Sequence, residues 1–222
     1  MIIRTFSLTL EPKNPVMFSL NDLRAFLLRD LAEFLLLHQE NAAGFIHRYP
    51  VVQCRQIKNT LMVMGINEGA EFLKHWSDHY DEIGIAENTC TIREKSPALQ
   101  EEEFGVSSIK QSYEFITPWL PFSQENNRKF YLLKGKEERD AFIRTMLVGN
   151  ILTLSKSLGY TVPGPVTADI NMHFQKERID GASVITLSGK FSLPFFIPDY
   201  LGLGRSVSAG YGVIRKRVQK LL

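Results

Sequence analysis

Between Thr167 and Gln175 the chain alternates without a break: Ala168, Ile170, Met172 and Phe174 are apolar, and Thr167, Asp169, Asn171, His173 and Gln175 between them are polar. Successive side chains leave a strand on opposite sides, so this two-residue period predicts a strand with one buried face and one wet face. The pattern resumes at Ile185, Leu187, Gly189 and Phe191 after Asp180 and Gly181, a pair suited to a tight turn. A hairpin there commits this part of the chain to an antiparallel sheet whose apolar side must be covered by something else.

Helical segments supply the cover. Ile143, Leu147, Ile151, Leu154 and Leu158 form a stripe at helical spacing that stops at Gly159. Ahead of it, Ile109 to Thr117 reads as a strand. Behind the hairpin, Phe195 to Leu201 reads as a helical turn and Val213 to Val218 as a last strand. The first half has the same order. Thr5 to Leu10 alternates as a strand, and Leu23, Phe26, Leu27, Leu31, Phe34 and Leu35 predict an amphipathic helix over 21–38, with Ser19 and Asp22 spaced as a capping box. Val51 to Lys58 and Leu61 to Ile66 read as paired strands around Asn59. Asn67 is placed to cap a helix burying Ala70, Leu73 and Trp76, and Ile83 to Ile92 reads as a fourth strand. Lys95 to Gly105, with Pro97 and the triplet Glu101, Glu102, Glu103, has the composition of a linker. The expected fold is α+β: two tandem ferredoxin-like βαββαβ domains with antiparallel sheets, 1–96 and 106–222.

With 26 Lys and Arg against 24 Asp and Glu, the net charge is only +2, so a polyanion site has to be a local concentration of cations. One lies near the C-terminal end, where Arg205, Arg215, Lys216, Arg217 and Lys220 occur and no acid follows Asp199. Another is Arg128, Lys129, Lys134 and Lys136, whose default reading is a solvated charged loop. Cys54 and Cys90 sit in apolar stretches with no zinc-ligand spacing and read as buried thiols of a reducing compartment. The start MIIRTFSLTL lacks a signal-peptide core, and no stretch approaches the roughly 18 apolar residues of a membrane span. The expectation is a cytoplasmic protein with no membrane partner and no cofactor.

The segment GLGRSVSAGYG places Gly202, Gly204, Gly210 and Gly212 in two G-h-G units, where h is apolar or aromatic. Such glycines fit either a tight structural turn or a nest of amides that cradles phosphate oxygens. The segment lacks the ending of a nucleotide-binding P-loop. A double G-h-G loop at the end of a second ferredoxin-like domain resembles the hallmark of the repeat-associated mysterious protein (RAMP) superfamily, and within it the endoribonucleases that process CRISPR repeat RNA. The histidine of GFIHRY, after the first helix, adds to that resemblance.

The resemblance implies metal-independent cleavage, in which a ribose 2′-hydroxyl attacks the adjacent phosphate and leaves a 2′,3′-cyclic phosphate. It makes His47 the first catalytic candidate, as general base or as acid to the leaving oxygen, with His38 second. Tyr49 would orient the nucleophile or relay a proton, and Arg48, Arg55 or Lys58 would supply positive charge. RNA binding is assigned to Gly202, Gly204, Arg205, Gly210, Tyr211, Gly212, Arg215 and Arg217, with Arg48 and Arg55. Tyr211 suits base stacking and space filling equally. The implied partners are CRISPR repeat RNA and other CRISPR effector subunits, the protein acting as monomer or homodimer. A non-catalytic guide-RNA-binding subunit and a ferredoxin-like small-molecule-binding regulator are the alternatives. His75 and His79, at i and i+4, have no third ligand in view, so no metal site is expected. His173 lies on the wet face of its strand. Trp119 and Phe122 read as packing residues.

Overall fold

The computed structural model describes residues 1–12, 20–37, 49–57, 60–79, 82–85, 88–179 and 181–217, and their side chains except at 12, 32–37, 82–85 and 88–95. Among these residues no helix is long and apolar enough to cross a membrane. His38, His47, Arg48, Lys58 and the turn residues Asn59 and Asp180 lie outside the described residues. The chain divides into two compact units, one formed by Ile2–Glu102 with Ser208–Gly210, the other by Met1, Glu103–Val207 and the residues from Tyr211 onward.

In the first unit the elements are β1 (Ile2–Pro12), α1 (Leu20–Leu37), β2 (Val52–Ile57), β3 (Thr60–Ile66), α2 (Glu68–His79), β4 (Glu82–Ile85) and β5 (Asn88–Glu103). The sheet order is β2-β3-β1-β5-β4. β5 occupies the fourth-strand position of a ferredoxin-like sheet and β4 is an added edge. β1 pairs antiparallel with β3, Thr5 opposite Ile66 and Leu10 opposite Leu61. The alternation read from Thr5 to Leu10 does its work here: Phe6, Leu8 and Leu10 join Leu23, Leu27 and Leu31 of α1 and Ala70, Phe72, Leu73 and Trp76 of α2 in one buried core.

Three expectations change in this unit. Where one fourth strand was expected, Ile83 to Ile92 holds the β4–β5 hairpin, with Ile83 opposite Cys90. The expected linker is strand through Glu103. Asn67 caps α2 differently from expectation. Its backbone oxygen accepts from Ala70 and Glu71, whereas its side-chain Oδ1 accepts the Arg4 N–H at 3.2 Å. Its φ of 51° is left-handed, a conformation that asparagine tolerates better than most residues.

The second unit contains β6 (Gly105–Phe115), α3 (Gln124–Leu132), α4 (Lys136–Ser157), β7 (Asp169–Ile179), β8 (Ala182–Phe196) and β9 (Ile214–Lys216), in the sheet order β7-β8-β6-β9. The hairpin expected from the alternation is present as β7 and β8, in register from Asp169 opposite Ser192 to Ile179 opposite Ala182. α4 buries Ile143, Leu147, Ile151 and Leu154 as its spacing requires. The shorter α3 was not expected. Ser123 caps it by accepting the Asn126 N–H, and Asn127 and Phe130 turn inward, Asn127 Oδ1 taking the Ile185 N–H at 3.2 Å. Phe115 stacks on Trp119 at 4.9 Å, and Trp119 and Phe122 are buried.

The helical turn expected at Phe195 to Leu201 does not form. β8 continues through Phe196, and a 3-10 turn lies further on, at Val207–Ala209. Where a ferredoxin-like domain carries its second helix, this unit has a glycine-rich loop.

Candidate nucleic-acid interface

The loop between β8 and β9 is a closed structure built on backbone bonds. Its arms run antiparallel: the Leu203 N–H donates to Gly212 O at 2.9 Å and the Ile214 N–H to Leu201 O at 2.9 Å, with Gly202 and Val213 bridging between them. Three further bonds moor it to the segment after β6. The Gly212 N–H donates to Pro118 O at 2.8 Å, the Arg205 N–H to Leu120 O at 2.9 Å, and the Val213 N–H to Thr117 Oγ1 at 2.9 Å.

Close packing within the loop, and at Gly204 against the segment after β6, accounts for glycine at three of the four positions. At Gly212, with φ +67°, a Cβ would lie 2.0 Å from Leu203 O. At Gly204, with φ +91°, it would lie 2.6 Å from Trp119 Nε1, and at Gly202 2.7 Å from Val207 Cβ. The tight-turn reading is therefore satisfied inside the protein. A phosphate nest does not form at the amides of Leu203, Arg205 and Gly212, since all three are already bonded to backbone oxygens of the fold. Gly210 falls, with Ser208 and Ala209, in the unit of Ile2–Glu102. What the loop offers to solvent is Arg205 and Ser206, with Tyr211 partly exposed.

Beside it lies the uncovered face of the sheet. The side chains that alternate away from the helices are Asp169, Asn171 and His173 on β7, Lys190 and Ser192 on β8, and Ser112 and Glu114 on β6. A shallow groove of about 260 Å³ opens on this face, lined by Ser112, Asp169, Asn171, Lys190, Ser192 and Arg217, with Tyr113, Ile170 and Phe191. Its charges are largely matched. Lys110 Nζ meets Asp169 Oδ2 at 2.5 Å, and that hydrogen bond with the lysine's charge holds the Asp169 carboxyl below its ordinary range. Arg215 Nη2 lies 2.6 Å from Glu114 Oε1, and Arg217 Nε 4.0 Å from the other oxygen of the same carboxylate. The bond to Glu114 holds the Arg215 guanidinium in its charged form. The basic tail expected as open phosphate-binding charge is thus partly neutralised by Glu114. Lys190, Asn171, Ser192 and Ser112, which line this groove, were not singled out in the sequence. The polar half of the 167–175 alternation was the signal that pointed to this face.

Arg55, one of the residues expected to supply positive charge, is fully buried at 0% and donates from Nη2 to Gln53 Oε1 at 3.1 Å. Burial likewise keeps Cys54 protonated. Desolvation pushes its thiol up to about 12, against smaller opposing effects of Arg55 and Arg24. Tyr49 is partly buried at the entrance to β2. His79 Nδ1 sits 2.7 Å from His75 O with the two rings 4.2 Å apart, and no third metal-ligating side chain joins them among the described residues. His173 is exposed.

Residues 1–103 match the Cas6b N-terminal domain and residues 105–217 the Cas6b C-terminal domain. This chain belongs to the Cas6b family. The likeness extends over the whole fold. A crystal structure of Cas6b, 28% identical, superposes with a TM-score of 0.82 over 98% of this chain and 100% of the other. A second, described as the CRISPR RNA processing endoribonuclease Cas6b, is 26% identical with a TM-score of 0.74 over 98% of this chain and 100% of its own. An uncharacterised protein of Methanocaldococcus jannaschii is 38% identical over 117 residues, 51% of this chain and 77% of that protein. In fold alone, the Cas6b arrangement extends to a RAMP protein binding different RNA substrates, 11% identical with a TM-score of 0.56. The resemblance read from the glycine-rich loop and the domain order is therefore correct.

Proposed function

We propose that this protein is a CRISPR RNA-processing endoribonuclease that binds repeat RNA and cuts the precursor transcript. The observation that carries this reading is the match of both halves to Cas6b domains, together with a full-length structural likeness to a protein described as a CRISPR RNA processing endoribonuclease. The proposed chemistry is in-line attack of a ribose 2′-hydroxyl on the neighbouring phosphate, releasing a 5′-hydroxyl and leaving a 2′,3′-cyclic phosphate. Such a step needs a group to take the 2′ proton, a group to give one to the leaving oxygen, and positive charge near the pentacoordinate phosphorus. None of these roles demands a metal ion.

His47 is proposed for proton transfer, with His38 as the second candidate, because imidazole ionises near neutrality. Tyr49 orients the attacking hydroxyl or relays a proton. Arg48, Arg55 or Lys58 supplies the charge. On the product side, Arg205, Tyr211, Arg215 and Arg217 hold the strand by charge and stacking.

The test is incubation of labelled repeat RNA with the protein in EDTA, for wild type, His47→Ala and His38→Ala, and with RNA carrying a 2′-deoxy residue at the scissile position. The expected result is cleavage in EDTA that the deoxy substitution abolishes and His47→Ala slows by about 10²- to 10⁴-fold. Cleavage that survives the deoxy substitution would refute the 2′-hydroxyl mechanism. Tight binding without any cleavage would move the chain to a non-catalytic RNA-binding role.

A further inference from the structure

A second surface of the C-terminal unit combines flat rings and cations, on the side of the sheet covered by helices. α3 buries Asn127 and Phe130, which turns Arg128, Tyr131 and Leu132 outward, Tyr131 exposed at 41% and Leu132 at 78%. Alongside, the even-numbered residues of β7 project at two-residue spacing as Phe174, Lys176 and Arg178, all exposed, Phe174 at 41%. The two rows are joined by cation–ring contacts. Lys176 Nζ stands 4.9 Å from the centre of the Tyr131 ring, and the Arg139 guanidinium lies 5.3 Å from Phe174 and 5.8 Å from Phe130. Arg139 is held in that place, since its Nε donates to Leu133 O at 3.0 Å. Phe174 is held by an edge contact with Phe130 at 5.3 Å.

Cations outnumber acids on this patch, where Glu137 and Glu138 lie in the first turn of α4 and Glu138 Oε2 accepts the Lys134 N–H at 3.3 Å. Glu125 is matched by Lys129 and Asp140 by Lys136, while Arg128, Lys134, Arg139, Lys176 and Arg178 form no ion pair among the described residues. Two half-exposed rings and a fixed guanidinium plane among unmatched cations suit a ligand that has flat faces and a negative charge at each repeat. Single-stranded RNA is that ligand, because its bases stack on aromatic rings and guanidinium planes while its phosphates meet the cations. An acidic protein would use the charges but would leave the rings to chance contacts.

We propose that Tyr131, Phe174, Lys176 and Arg139 form an accessory stacking site for unpaired nucleotides of the transcript that flank the bound repeat. The proposal rests on the RNA-processing reading only in naming the transcript as the source of the strand. Its test compares repeat RNA with the same RNA carrying a ten-nucleotide unstructured extension at either end, the extensions containing 4-thiouridine, for wild type, Tyr131→Ala and Tyr131→Phe. An unstructured ten-nucleotide RNA unrelated to the repeat, also thiolated, is run in parallel. In wild type one extension tightens binding by about tenfold, a gain of the size of one stacked base. Tyr131→Ala brings the ratio of extended to unextended affinity toward one and Tyr131→Phe retains it. Photo-crosslinks map to peptides containing Tyr131 or Phe174. The unrelated oligonucleotide separates the two readings: its crosslinking to these peptides supports the stacking site even where repeat RNA is neither bound nor cut. Equal gains in wild type and Tyr131→Ala, or crosslinks that avoid both peptides, overturn the proposal and leave the patch to a protein partner.

Discussion

Three positions carry most of what can be tested at the scale of single residues. Gly212→Ala adds a Cβ 2.0 Å from Leu203 O at a φ of +67°. Left-handed backbone alone costs a non-glycine residue about 1–3 kcal/mol, and the clash with a backbone oxygen adds to it. The expected outcome in thermal denaturation is a fall in Tm of several degrees or more. Gly149 is the counterpart, a glycine inside α4 with nothing within 4 Å of a built Cβ. Gly149→Ala is expected to stabilise by about 0.5–1 kcal/mol in the same measurement, because alanine is the better helix former. The third is Cys54, whose thiol is raised from 9.0 to about 12 by burial. The folded thiol keeps its proton where the unfolded one loses it, so this contribution to stability is fully present below pH 9 and is lost as pH rises toward 12. Iodoacetamide at pH 8 should leave the Cys54 peptide unmodified in the folded protein and alkylate it in guanidinium. Rapid modification of the folded protein would contradict the buried placement.

Among elements, the decisive one is α4, whose Leu147 is wholly buried. Leu147→Ala should lower unfolding free energy by about 2–5 kcal/mol in a denaturant titration, the range for a leucine-sized void in a packed core. Elements of this kind were legible in the sequence. β1, α1, α4 and the β7–β8 hairpin each repeat an apolar residue at the period of their own geometry, long enough for the pattern to outlast local noise. α3 was not, because only Asn127 and Phe130 of its nine residues are buried and two inward positions make no period. The strand through Lys95 to Glu103 was hidden for the opposite reason. Its described side chains are almost all exposed, so no alternation marks it. The site was legible by position more than by role. The glycines at 202, 204 and 212 stood out, but what requires them is contact with Trp119, Leu203 and Val207, and no short window of sequence shows which of those neighbours will be close.

For the whole molecule, a net charge of +2 means that under the proposed function RNA affinity would have to come from a few places. Glu114 and Asp169 already hold Arg215 and Lys110, so on the proposed reading Arg205, Lys190 and the cations beside Tyr131 would be the stronger contributors. Affinity for repeat RNA should therefore fall with rising salt, and the slope of log affinity against log salt counts the phosphates neutralised. Replacing Glu114 by Gln should tighten binding at low salt, since it releases two guanidinium groups from one carboxylate. An unchanged affinity for Glu114→Gln would show that this face of the sheet is not in contact with the strand.

One of the two interior strands of the C-terminal sheet, β6, meets its partners late: Gly105 pairs with Phe196 and Tyr113 with Lys216. During synthesis it must wait for roughly a hundred further residues, and a nascent chain that has made β6 but not β8 or β9 shows two bare hydrogen-bonding edges. The hairpin can form from local contacts in the meantime, so docking on β6 is expected to be the slow step, with the three-residue β9 closing the second edge last. Refolding yield should accordingly drop as concentration rises, through strand exchange at β6, more steeply than the stability of the finished protein would suggest.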